Sequence, residues 1–259
     1  MLFFIVSLLA STVGAICGIG GGVIIKPVLD MLHLETVTVI SFLSGCTVLS
    51  MTCYSVGRSV LAGERRVSLR TGTPLAVGAA VGGLLGKQLF SFIRGLFENQ
   101  NTVGAVQAVC LAVITLGTLI YTVNKHRIRG KKVQNPAVCA VIGLALGVMS
   151  SFLGIGGGPI NLVVLFYFFG MDTKTAAANS LYVILFSQLA GVLAAIATHE
   201  VPAFPWRALF LMVAGGIGGG IAGRALNRRM DEKTVDKLFI GLMAVIIGIS
   251  VYNGWQYGR

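Results

Sequence analysis

The pentapeptide Gly-Ile-Gly-Gly-Gly occurs twice, at Gly18–Gly22 and at Gly154–Gly158, 136 positions apart. Each copy interrupts an apolar run, residues 2–32 and 136–169, that is too long for one straight membrane crossing. A crossing takes roughly 20 apolar residues, because ~30 Å of hydrocarbon is covered at 1.5 Å per residue. Glycine costs about 1 kcal/mol relative to alanine inside a helix. Four glycines in five residues therefore predict that the backbone leaves the helix at the same place in both runs. Non-helical backbone at membrane depth persists only where protein or a watery cavity satisfies its N–H and C=O groups.

Six further apolar segments are of ordinary span length: residues 36–57, 71–93, 102–123, 175–198, 207–226 and 236–254. The chain is 55% hydrophobic and only 11% charged, too apolar to cover a water-facing surface. Soluble enzymes and disordered chains are excluded together. The net charge of +11 would suggest nucleic acid in a soluble protein. Here the basic residues sit in short gaps between apolar runs, as cytoplasmic loops do, so the expected partner is a lipid bilayer and not nucleic acid. The first 17 residues lack a basic leader and read as mature structure. The five cysteines form no CxxC pair, so free thiols are expected and a metal site is not.

The repetition extends beyond the pentapeptides. Gly78, Gly82, Gly86 and Lys87 recur as Gly215, Gly219, Gly223 and Arg224. The sequence thus predicts an all-α membrane protein of two four-segment repeats, residues 1–123 and 136–259, joined by a basic linker over 124–135. If all eight segments cross the bilayer, the Lys and Arg residues show almost no sidedness. If segments one and five instead dip in at the pentapeptide and return, the second half is inverted. Fifteen of the 20 Lys and Arg residues then share a face, and only Lys26, Lys87, Arg94, Arg207 and Arg259 lie elsewhere. The inverted arrangement satisfies the positive-inside rule far better, and both termini are expected outside the cell membrane.

After each break a half-helix begins, at Val23 and at Pro159, and proline suits a first helical turn. Such a start offers free N–H donors and the positive end of a dipole in a low-dielectric medium. That is an anion site needing no charged side chain. The candidate substrate-binding residues are Gly18, Gly20, Gly21 and Gly22 with Lys26 and Pro27, and Gly154, Gly156, Gly157 and Gly158 with Pro159 and Asn161. Ser41, Ser44, Asn179 and Ser180 add uncharged hydrogen-bonding groups in apolar stretches. Lys26 reads either as a counter-ion for the substrate or as a snorkelling lysine. The four-spaced glycines read as small-xxx-small helix packing.

No nucleotide-binding loop is complete, because Gly86-Lys87 is followed by Gln88. There is no HExxH and no Gly-x-Ser-x-Gly elbow, and the nine acidic residues fall in loops or at segment ends. An enzyme, an ATP-driven pump and a cation carrier are thereby disfavoured, and no cofactor is expected. The rival reading is a membrane scaffold whose glycines serve packing only.

GIGGG followed by Pro27, and GIGGGP leading to Gly170-Met171-Asp172 and Ala178-Asn179-Ser180, resemble the TauE/SafE family over nearly the whole chain. The resemblance implies a multi-pass transporter or permease for small sulfur-containing anions such as sulfite, thiosulfate or organosulfonates.

Overall fold

The computed structural model describes residues 1–32, 34–64, 67–96, 100–128, 130–153, 155 and 157–257, and among them all regular structure is helical. Ten α-helices follow in order: α1 (Leu2–Cys17), α2 (Gly22–Met31), α3 (Val37–Leu61), α4 (Leu69–Leu96), α5 (Gln100–Asn124), α6 (Pro136–Phe152), α7 (Pro159–Phe169), α8 (Thr173–Ala197), α9 (Trp206–Arg229) and α10 (Glu232–Tyr257). A single 3-10 turn, Lys125–Arg127, starts the linker. Both overlong runs are divided where the glycines stand. α1 stops at Cys17 and α2 starts at Gly22; α6 stops at Phe152 and α7 starts at Pro159. The legs are unequal, 16 and 10 residues in the first run, or roughly 24 and 15 Å.

Helix ends carry local signals. Thr36 caps α3 and Asp172 caps α8, each side chain accepting from a first-turn N–H. Asn135 caps α6 ahead of Pro136. Among the described residues five helices are long and apolar enough to cross a membrane: α3, α8, α9, α10 and most of α5. α4 has 28 residues, enough to cross a bilayer by length. Exposed Leu9, Val81, Val113, Val141, Ile196 and Val245 put apolar surface on the outside of the bundle, as lipid requires.

Packing fixes which way each broken run points. α1 lies on α9 with Gly215 opposite Phe4 and Gly219 opposite Leu8, so the two run parallel. α6 lies on α4 in the same manner, with Gly78, Gly82 and Gly86 against the backbones of Ala140, Leu144 and Val148. A Cβ on Gly219 would stand 2.6 Å from the Leu8 carbonyl oxygen, so these glycines are packing positions that let helix backbones touch. α1 and α2 begin and end at the face that carries the α8–α9 loop. α6 and α7 begin and end at the opposite face, where Lys131 and Val133 of the linker donate to the carbonyls of Tyr167 and Phe168. α1 packs on α9 and α6 on α4, α3 on α9 and α8 on α4, and α2 on α10 and α7 on α5. α3 and α8 meet each other near the centre, as do α5 and α10.

The face carrying the linker also gathers the basic residues. Lys125 pairs with Asp236 at 2.6 Å and donates to Thr173, tying the linker to α8 and α10. Arg65, Arg66, Arg129 and Arg259 lie outside the described residues.

Candidate functional site

Two positive-φ glycines turn the chain at the first break. Gly18 (φ 76) ends α1 and donates to the Gly14 carbonyl at 2.8 Å, and Gly20 (φ 73) reverses the path. Both sit in the left-handed region that side chains disfavour. The reversed strand lies directly on α1, so that a Cβ on Gly14 would be 2.6 Å from Gly20 C and Gly21 N. Gly21 abuts Ser11 of α1. Gly22 opens α2 against the carbonyl of Ile155, inside the second pentapeptide. Gly157 in turn lies near the Ile19 carbonyl, and Gly158 near Val23. The two breaks touch each other at the centre of the bundle. Gly154 and Gly156 lie outside the described residues.

Polar groups without partners surround this contact. Ser44 of α3 and Ser180 of α8, again 136 positions apart, are both fully buried with hydroxyls that have no hydrogen-bond partner among the described residues. The Oδ1 of buried Asn161 and the hydroxyls of Ser41 and Ser187 share that state. A buried polar atom left unpaired costs about 1–3 kcal/mol, so this concentration around one junction leaves much hydrogen-bonding capacity unmet.

Other expected site residues are engaged elsewhere. Lys26 is buried and its Nζ lies 3.3 Å from Asp30 and 2.9 Å from the Gln107 carbonyl oxygen. Its charge is therefore balanced within α2. The carbonyl of Pro27 accepts from Asn253 of α10. Asn179 accepts from the Ser68 N–H ahead of α4 and donates to the Thr175 carbonyl, which ties down a loop.

Two openings approach the junction from opposite faces. From the less basic face descends a cavity of about 650 Å³, lined by Ser41 and Gly45 of α3, Lys87 of α4, Gln107 of α5, Ser150 and Ser151 of α6, Gln188 and Gly191 of α8, and the His199–Ala203 loop. Ser150 also borders a closed seam along Gly157, Asn161 and Ser187 that has no room for a water. From the basic face comes a cleft of only about 60 Å³. Apart from Arg228, each residue lining the cleft has a counterpart 136 or 137 positions away lining the wide cavity. Ala15 answers to Ser151, Ser55 to Gly191, Val56 to Val192, Ala177 to Ser41, Glu64 to Glu200, and Arg224 to Lys87.

The narrow cleft is shut by charges. Glu64 meets Arg224 at 2.9 Å and Arg228 at 2.6 Å, and accepts from Ser59 at 2.9 Å; Arg224 also donates to the Ser55 carbonyl at 3.0 Å. Burial pushes the Glu64 carboxyl up, but the Arg228 and Ser59 hydrogen bonds and the two guanidinium charges outweigh it and hold it below its ordinary 4.5. In the wide cavity Lys87 donates to the Gly191 carbonyl.

Sequence reasoning singled out Lys87 and Arg224 as a recurring pair after a glycine and as charges in the sidedness count, placed Glu64 and Glu200 among the acidic residues at segment ends, and left Gln107 and Gln188 aside. The usable signal was the offset itself, since Glu64 and Glu200 are separated by the same 136 positions as the pentapeptides. All five cysteines are free, and no cluster of metal-ligating side chains occurs among the described residues.

The family model described as "Sulfite exporter TauE/SafE" matches residues 3–251. Among curated relatives, the "Probable membrane transporter protein YunE" of Bacillus subtilis is 26% identical and covers 98% of both chains. The "Probable membrane transporter protein YdhB" of the same organism is 24% identical over 96% of this chain and 98% of its own. The "Probable membrane transporter protein MamO" of Magnetospirillum gryphiswaldense is 30% identical over 44% of this chain and 19% of its own length. No solved structure matches the chain.

Proposed function

The chain belongs to the TauE/SafE sulfite exporter family of membrane transporters, and from that premise we propose that it is a secondary transporter for small sulfur-containing anions: sulfite, thiosulfate or an organosulfonate. It works in the plasma membrane by alternating access. Residues 1–123 and 136–259 act as inverted repeats joined by the 124–135 linker, and the basic face is cytoplasmic.

The observation that carries this reading is the pair of openings built from equivalent residues, one of about 650 Å³ and the other of about 60 Å³. Two copies of one vestibule in opposite states are what a carrier open to one side requires. Rocking the halves about the α3–α8 seam would exchange the two states. Between the openings stand Gly18–Gly22, the described residues Ile155, Gly157 and Gly158 that touch it, and the first turns of α2 and α7.

An oxyanion carries several acceptor oxygens and needs several dispersed donors. Helix-start N–H groups supply some, and the unpartnered hydroxyls of Ser41, Ser44 and Ser180 supply others, while the unpaired Oδ1 of Asn161 is an acceptor beside them. Pro159 shapes the start of α7. Lys26, held by Asp30, contributes a nearby dipole in place of a free charge, and Pro27 and Asn179 support the frame.

The test is a thermal-shift screen of purified protein against sulfite, sulfate, thiosulfate and short sulfonates, followed by uptake into proteoliposomes. A ligand at 100 times its Kd stabilises the folded state by about 2.7 kcal/mol. The reading expects a shift with at least one sulfur oxyanion and uptake of the same ion. A flat panel with no uptake would overturn the substrate class and favour a scaffold.

A further inference from the structure

Resting on the alternating-access reading, the geometry points to one electrostatic latch existing in two copies: Glu64 with Arg224 at the basic face, and Glu200 with Lys87 at the opposite face, each closing only when the other is open. The members correspond one to one. Glu64 and Glu200 are 136 positions apart, Arg224 and Lys87 are 137 apart, and their carbonyl acceptors, Ser55 and Gly191, are again 136 apart. Both cations already occupy equivalent seats, Arg224 donating to the Ser55 carbonyl and Lys87 to the Gly191 carbonyl.

Only the acidic partners differ in state. Glu64 is drawn in to 2.9 Å from Arg224, and its cleft is nearly shut. Glu200 is exposed in the loop between α8 and α9, and among the described residues no ion pair joins it to Lys87. Both Glu200 and Lys87 line the wide cavity. Narrowing that cavity as its counterpart is narrowed would carry Glu200 onto Lys87. Expelling the water between them lowers the local dielectric and strengthens the attraction, so the pair forms as the opening closes. Glu200 is tied to the C-terminal turn of α8, its N–H donating to the Ala195 carbonyl at 3.0 Å, so its side chain travels with α8 when that helix and α4 close on the cavity. Two latches cannot both be satisfied when the same rocking motion opens one end and shuts the other.

The experiment reads access at two equivalent positions, Val56→Cys in the cleft and Val192→Cys in the wide cavity. Sealed vesicles of each orientation receive a membrane-impermeant thiosulfonate reagent with no substrate present, and labelling is measured on the peptide by mass. E64Q is expected to raise labelling at Val56→Cys several-fold and to lower it at Val192→Cys. R224Q removes the same ion pair from its other side and should shift the ratio in the same direction. Adding E200Q to E64Q should return the ratio toward the parent, because the opposite latch is then lost as well. A ratio unmoved by both E64Q and R224Q, or an E64Q shift that E200Q fails to reverse, would overturn the latch. No substrate is needed, so a wrong substrate class and a wrong latch give separate results.

Discussion

Replacing Gly14 by alanine tests how closely the first break is folded onto α1. Inside a helix the change should help, by up to about 1 kcal/mol of propensity. The new methyl would, however, stand 2.6 Å from Gly20 C and Gly21 N and 2.7 Å from the Gly20 carbonyl oxygen. All three are backbone atoms of the turn that Gly18 and Gly20 create, so no side-chain rotation relieves the clash. Overpacking typically costs 1–3 kcal/mol, and an unyielding contact belongs at the upper end. The net expectation is a loss of about 2 kcal/mol. For a domain of this size 1 kcal/mol corresponds to roughly 2–4 °C, so the apparent Tm in detergent should fall by about 4–8 °C. Gly241→Ala in α10 supplies the control, because nothing lies within 4 Å of its Cβ position. That variant should be neutral or up to about 1 kcal/mol more stable. A Tm for Gly14→Ala that matched or exceeded the control would refute the close seating of the chain after Gly18 on α1.

Three further expectations follow from particular contacts. Asp30→Asn leaves Lys26 charged and buried without its carboxylate, a loss of about 3–5 kcal/mol, whereas the paired Lys26→Met/Asp30→Leu change should recover most of it in the same thermal assay; equal losses in both would refute the pairing. Glu64 titrates below 4.5, so its ion pairs persist through the ordinary carboxylate range. Its stabilisation is present above that range and is lost as pH falls through the depressed value. An infrared carboxyl band that is absent from Glu64→Gln should therefore appear with a midpoint below 4.5, and a midpoint above it would contradict the geometry. Asp172→Ala removes the cap that accepts from Thr175 at 2.8 Å, and should cost about 1 kcal/mol and speed hydrogen exchange in the first turn of α8 without changing that of α3, which Thr36 caps.

The helices were readable because hydrophobic runs and glycine breaks act locally. The division of residues 2–32 at Gly18–Gly22, the start of α7 at Pro159 and the close packing at Gly78 and Gly215 all follow from residue chemistry at one place in the chain. Pairing across the bundle was not readable in the same way. Asp30 stands one helical turn beyond Lys26, yet the sequence offers Lys26 equally as a counter-ion, because nothing local says which face of α2 meets Gln107 of α5. Lys87 counted as a match for Arg224 and a charge near one face, and only the packing of α4 against α6 and α8 turned it into the wide cavity. Glu64 and Arg224 are brought together from positions 160 apart by the lie of α9 beside α3. Contacts of that range depend on how whole helices settle, not on spacing.

The narrow cleft is held by more than its counterpart could be. Glu64 gathers Arg224, Arg228 and Ser59, whereas the positions answering to Arg228 and Ser59 in the other half are Ser91 and Ala195. Were the halves identical, an empty carrier would spend equal time facing either way. On the carrier reading proposed above, this imbalance of a few polar contacts would favour an idle posture with the doorway toward the less basic side. On that reading the difference between two near-copies fixes where an unloaded molecule rests, while the gradients across the membrane decide which way cargo flows.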